Sequence, residues 1–149
     1  MKDDINTIQK LREVTGAGVM ECKRAFTDAK GDFEEAKKLI HERGLVKVEK
    51  RSGRETGAGL IESYVHNERI GVLVDVRAET DFVVRSEPFR ALVHELAMQL
   101  AAMPAENVEA FLAQPYIRDE TKTVHDLVKD VIARVGENVR VNGFSRLEI

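Results

Sequence analysis

The sequence predicts an α+β protein: an amino-terminal three-helix module followed by a small antiparallel sheet covered by helices. Three observations carry this. Apolar residues in the first 43 positions recur at helical spacing and are punctuated by Gly16, Gly31 and Gly44. From Ile70 the period drops to two, with Ile70, Val72, Val74 and Val76 on one side and Gly71, Leu73 and Asp75 on the other. Two more amphipathic helical stretches follow, and the chain closes on a second alternating segment.

In order, Ile5, Ile8, Leu11 and Val14 mark a first helix behind Asp3 and Asp4, acids placed to cap it, with its end at Thr15-Gly16. A second helix from Gly18 to Lys30 carries Val19, Cys22, Ala25, Phe26 and Ala29 on one stripe. Asp32 with Glu35 forms a capping-box pattern for a third, striped by Phe33, Ala36, Leu39 and Ile40 and expected to stop at Gly44. Residues 1–45 thus form one module. Val46 to Thr56 loses apolar spacing and gathers Lys47, Lys50, Arg51 and Arg54, which reads as a basic linker over 46–56 with room for a helical start. The remaining residues, 57–149, form the α+β core.

Within that core, Leu60 to Val65 and the strand from Ile70 make a hairpin about the polar turn His66-Asn67-Glu68. Glu79 to Val84 is expected as a short connecting loop. Ser86 is the expected cap, and Pro88 an early-turn residue, of a long helix with Phe89, Leu92, Val93, Leu96, Leu100 and Met103 inward. A short helix from Glu106 to Leu112 is broken by Gln114-Pro115. Thr123 and Asp126 form a second capping-box pattern, ahead of Val124, Leu127, Val128, Val131, Ile132 and Val135, closed by Gly136. In the tail, Val139 and Val141 are odd-numbered but Phe144 is even. One strand with a bulge at Asn142-Gly143 reconciles them.

Composition narrows the function classes. With 43% hydrophobic and 33% charged residues and only 3 Pro, the chain is a folded one. No apolar run approaches the ~20 residues of a spanning helix, and the acidic start MKDDINTIQK is unlike a secretory signal, so the expected location is the cytoplasm. A single cysteine excludes an internal disulfide framework and Cys-based zinc sites. The net charge of −3 argues against a dedicated nucleic-acid binder.

No catalytic constellation stands out, and the expectation is a non-enzyme without a cofactor. Gly16-Ala17-Gly18 joins two helices and lacks the preceding strand of a phosphate loop, so it reads as a turn. His41, His66, His94 and His125 lie in separate elements without metal-ligand spacing. Cys22 sits on an apolar stripe and reads as core. The segment Glu79-Thr80-Asp81-Phe82-Val83-Val84 is more informative. Its local pattern favours folding Phe82 into the core over presenting it as an exposed anchor.

IQKLREVTGAGVMECKRAF followed by GDFEEAKKLIHERG resembles the amino-terminal module of the translation elongation factor Ts family, itself similar to ubiquitin-associated three-helix domains. VDVRAETDFVVRSEPF resembles that family's signature around T-D-F-V, and QPYIRDETKTV with GENVRVNGFSRLEI resembles its closing helix and strand. The likeness covers about residues 1–103 and 114–149.

The resemblance implies guanine-nucleotide exchange on elongation factor Tu: the factor binds the GDP form and promotes GDP release. In the family, the Asp and Phe of T-D-F-V enter the GTPase near its switch region and disturb the shell around its Mg²⁺. These correspond to Asp81 and Phe82, with Thr80 and Val83 shaping the loop. Loss of the cation removes charge neutralisation at the β-phosphate, so the phosphate grip weakens. Docking of the amino-terminal module on the GTPase domain would use Arg12, Val19, Met20 and Lys23. Val19 replaces the family's usual Met, and Asn142-Gly143 replaces a usual Arg-Arg pair. Where many members insert a second half-core and a helical hairpin, this chain has only Pro104 to Ala113. Short members can dimerise through the sheet, which implies a homodimer here. Two other classes stand beside exchange: a ubiquitin-associated-like adaptor acting through residues 1–45, and a ribosome- or RNA-associated protein acting through Lys47 to Arg54.

Overall fold

The computed structural model describes residues 2–149, with side chains from Asp4 onward, and the chain divides into two compact units, Met1–Lys50 and Arg51–Ile149. The first holds α1 (Lys2–Thr15), α2 (Val19–Asp28) and α3 (Phe33–Arg51). The expected cap at Asp3 lies outside the described side chains. Asp4 is inside the first turn of α1, where a carboxylate complements the helix dipole. Gly16 closes α1 with φ +70°, and the exit from α2 places both Lys30 and Gly31 in the left-handed region. Asp32 accepts the Glu35 N–H at 2.8 Å, but its own N–H donates to the Ala29 carbonyl, so only half of the expected capping box forms.

Helical stripes fared unevenly. Leu11, Cys22, Ala25, Ala29, Ala36 and Ile40 are the core, with Ile8, Phe26, Phe33 and Leu39 packed against it. Small residues on α2 let the helices approach closely. Ile5 and Val14, read as core-facing, are exposed. Nine residues at about 100° each place them about 180° apart around α1, so one core cannot take both. Cys22 is fully buried, and burial pushes its thiol pKa up.

The third helix does not stop at Gly44. It runs about two turns further, to Arg51. Gly44 keeps a helical backbone; an interior glycine costs about 1 kcal/mol, whereas each added residue gains a backbone hydrogen bond. Lys47 on the extension pairs with Glu21 of α2 at 2.8 Å, and Val48 is buried. The segment expected as a linker is therefore helical over its first half.

In the second unit, β1 (Ala58–His66) and β2 (Ile70–Ala78) form the expected hairpin, with Asn67 and Glu68 both at positive φ as its tight turn requires. Next come α4 (Asp81–Val84), α5 (Glu87–Ala102) and α6 (Val108–Ala113). The chain continues through β3 (Pro115–Tyr116), β4 (Asp119–Thr123), α7 (Val124–Val135) and β5 (Val139–Glu148). The sheet order is β1-β2-β5, antiparallel throughout. Helix α5 packs on β1 and β2, and α7 packs on α5 and β5. Val72, Val74, Val76, Phe89, Leu96 and Leu100 fill the space between.

The capping box at Thr123 and Asp126 is complete: the Thr123 hydroxyl accepts the Asp126 N–H at 3.1 Å and the Asp126 carboxylate accepts the Thr123 N–H at 2.9 Å. Gly136 ends α7 at φ +78°. Ser86 holds the N-cap position of α5, but its hydroxyl donates to the Val83 carbonyl at 2.6 Å and caps nothing on α5. The bulge is where the parity argument puts it. Asp75 pairs with Gly143 and Val76 with Val141, leaving Asn142 as the extra residue.

The hairpin β3–β4 has no counterpart in the sequence reading, which left this stretch without strands. It is held by Gln99, fully buried on α5, whose amide donates to Gln114 and to the Pro115 carbonyl and accepts the Ile117 N–H at 3.0 Å.

Candidate functional site

The segment between β2 and α5 was expected as a loop; it is a single helical turn. Thr80, extended at φ −132° and ψ 154°, is the N-cap of α4, and its hydroxyl accepts from the Val83 N–H at 3.4 Å. That turn divides its side chains. Val83 and Val84 are buried against the sheet, whereas Asp81 is exposed and Phe82 is 84% exposed. The preference for a core role of Phe82 is therefore corrected. Successive helical residues differ by about 100°, so once Val83 and Val84 face inward Phe82 projects into solvent.

The turn is braced from a distant part of the chain. Glu137, the residue after Gly136, accepts the Thr80 N–H at 2.9 Å on one carboxylate oxygen and the Thr80 hydroxyl at 2.7 Å on the other. Glu79 accepts the Asn138 N–H at 2.7 Å in return. The buried Asn138 amide donates to the carbonyls of Arg54, at 3.0 Å, and Ser52, and Arg54 pairs with Glu79 at 3.5 Å. Arg51 donates to the Ile132 carbonyl at 3.0 Å. Both linker arginines thus have intramolecular partners. The sequence singles out Glu79 only as the start of its segment and does not mark Glu137 or Asn138, whose one signal is their place directly after the Gly136 helix stop.

A second candidate surface lies in the first unit. On α2, Lys23 lies four residues after Val19 and three after Met20, so it neighbours both, and Arg12 is exposed in the last turn of α1. Val19 is 48% exposed and Met20 60%. For Val19 this corrects its assignment to the core stripe. Both line a groove of about 950 Å³ between α2 and α3, together with Val46, Arg24, Lys47 and Lys50. On the α3 side Arg43 precedes Gly44, and Val46, Lys47 and Lys50 line the groove because the helix continues past it. Among the described residues no group of three or more His, Cys, Asp or Glu is arranged to hold a metal ion, and no helix is long and apolar enough to cross a membrane.

Residues 79–149, beginning at the brace, match the family model described as Elongation factor TS. Elongation factor Ts of Coprothermobacter proteolyticus is 38% identical over 192 aligned positions, covering 98% of this chain and 98% of that protein. Its namesake from Thermotoga maritima is 38% identical over 193 positions, covering 100% and 97%. The protein of the same name from Rippkaea orientalis is 38% identical over 186, covering 93% of this chain and 75% of its own length. These alignments are longer than the 149-residue chain, so the relatives carry residues that have no counterpart here.

Proposed function

The chain belongs to the elongation factor Ts family, and on that premise we propose that it is a guanine-nucleotide exchange factor for elongation factor Tu. It binds the GDP-bound partner, presents Asp81 and Phe82 to the partner's Mg²⁺ and phosphate region, and releases GDP without bond-making chemistry of its own. The observation that carries this reading is Phe82: a large apolar side chain 84% in water on a tip whose neighbours are fixed. An exposed aromatic on a rigid support is what an interface anchor requires.

Thermodynamically, exchange is negative coupling, in which factor and nucleotide each lower the other's affinity by the same ratio. Burying one Phe contributes about 1.5–3 kcal/mol, which amounts to about a tenfold to hundredfold effect. The amino-terminal module, residues 1–45, supplies further affinity through Arg12, Val19, Met20 and Lys23, and residues 57–149 carry the tip, with 46–56 joining them.

The same chain forms a homodimer through its bare sheet face. With α5 on one side of the sheet, the other side presents Ile61, Val65, Leu73 and Leu147, all at least half exposed. Val65, Gly71 and Leu147 are cross-strand neighbours, and Leu73 lies two residues along β2 between Ser63 and Ser145.

The test is release of fluorescent GDP from the cognate elongation factor Tu with catalytic amounts of this protein. Acceleration with turnover is expected; measurable binding without acceleration overturns the exchange reading.

A further inference from the structure

The strand-to-helix junction at Glu79-Thr80 and the helix-to-strand junction at Glu137-Asn138 exchange carboxylate-to-backbone hydrogen bonds. Glu137 takes both donors of Thr80, and Glu79 takes the Asn138 N–H. These two corners of the fold lie 57 residues apart in the chain. It is anchored a second time, because the Asn138 side chain holds the Ser52 and Arg54 carbonyls.

Helix α4 needs such a brace. Four residues make a single turn, which has no stability of its own because nucleation is the unfavourable step of helix formation. Its inward side is fixed by Val83 and Val84. Its outward side, from which Asp81 and Phe82 project, depends on the extended backbone at Thr80. The Thr80 hydroxyl can accept from Val83 while donating to Glu137, so a single carboxylate sets the N-cap geometry and the orientation of the capping hydroxyl.

We propose that Glu137 is the positioning residue of the exchange tip: its bidentate hold on Thr80 fixes the direction in which Phe82 enters the partner. This rests on the exchange-factor reading above and adds to it a residue outside the T-D-F-V segment. The effect on exchange is on the rate within the complex and not on docking. A tip misplaced by a fraction of its length engages the nucleotide site less often, whereas the amino-terminal module still binds.

The experiment is fluorescent GDP release from elongation factor Tu as a function of the concentration of its GDP complex, for the wild type, Glu137→Ala, Glu137→Gln and Glu137→Ala/Thr80→Ala. Glu137→Ala is expected to lower kcat about tenfold with KM within about twofold. Glu137→Gln, which keeps an acceptor oxygen and the side-chain length, restores kcat to within about threefold of the wild type. The double variant, with Thr80→Ala measured beside it, loses less in kcat than the product of the two single losses, because both changes break the Thr80–Glu137 contact and only Thr80→Ala also removes the cap on Val83. A folded Glu137→Ala protein with wild-type kcat overturns the proposal, as does a rise in KM as large as the loss in kcat. If Glu137→Ala fails to fold, Thr80→Val takes its place: it removes the hydroxyl donor with little change of shape, and an unchanged kcat overturns the proposal. If the wild type itself does not accelerate release, the exchange reading fails, and amide exchange at Thr80 and Val83 then decides the brace. At least about tenfold faster exchange in Glu137→Ala supports it, and unchanged protection refutes it.

Discussion

Phe82 and Val83 are adjacent in the chain and on the same helical turn, yet the first is 84% exposed and the second 4%. A single turn therefore separates a side chain with no role in folding from one that anchors the turn to the sheet.

Substitution at the two positions should separate function from stability. Phe82→Ala is expected to slow catalysed GDP release by at least about tenfold while leaving Tm unchanged, since little area is withdrawn from water in the free protein. Val83→Ala should lower stability by about 1–3 kcal/mol. Stopped-flow nucleotide release and calorimetry on the same samples check both. A large drop in Tm for Phe82→Ala would contradict the exposed placement.

Asp126 makes stability depend on pH in a definite direction. The Thr123 backbone N–H holds its carboxyl below the usual carboxylate range. The folded chain thus binds that proton more weakly than the unfolded one. The contribution is complete above the ordinary carboxylate pKa of ~3.9 and is lost as pH falls through the lower folded value. Asp126→Asn should be less stable than the wild type by about 1 kcal/mol at pH 7, with the gap closing as pH falls below the ordinary carboxylate range. Urea denaturation at several pH values measures this.

Gly59 is where β1 comes too close to β2 for a side chain. A Cβ there would stand 2.5 Å from the Arg77 Cδ and 2.6 Å from the Val76 carbonyl oxygen. The arginine can swing away, but the carbonyl belongs to the central strand. Gly59→Ala is expected to cost about 1–3 kcal/mol, read by thermal denaturation. Gly71→Ala in the same hairpin meets nothing within 4 Å and is the control.

For the bare sheet face, light scattering is expected to give twice the chain mass at micromolar concentration. Leu73→Lys, which sets a charge in the centre of the patch, is expected to return the monomer with unchanged circular dichroism. A wild-type monomer across that range refutes the dimer.

Much of this fold is legible in the sequence, because its signals are local. The Thr123–Asp126 box, the 66–70 turn and the Asn142 bulge each follow from residue type and spacing over a few positions. What was not legible depends on partners far along the chain. Gly44 looks like a helix stop until Glu21 is found beside Lys47. Gln99 looks like a flaw in an apolar stripe until the β3–β4 hairpin folds over it. For the candidate site, the T-D-F-V segment was visible, but whether Phe82 pointed inward was not, since one turn has too few residues to show a period. Its brace, Glu137, belongs to the other end of the core.

The extra residue at Asn142 gives the last strand two reading frames. Before it, odd positions face the helices, as at Val139 and Val141; after it, even ones do. There Phe144 stacks edge-on with Phe111, and Arg146 donates to the Leu100 and Ala101 carbonyls at the end of α5. Loss of the codon at position 142 would merge the frames and leave Phe144 and Arg146 facing the helices opposite Val74 and Val72, whereas loss of the codon at position 145 would turn Arg146 out to solvent and drive Leu147 inward. The last turn of α5 would then lose its guanidinium cap. This strand therefore tolerates many substitutions on its outer face and the loss of its extra residue, but no other single-residue change in length, whereas at the 67–69 turn a change of length leaves the parity of both strands intact.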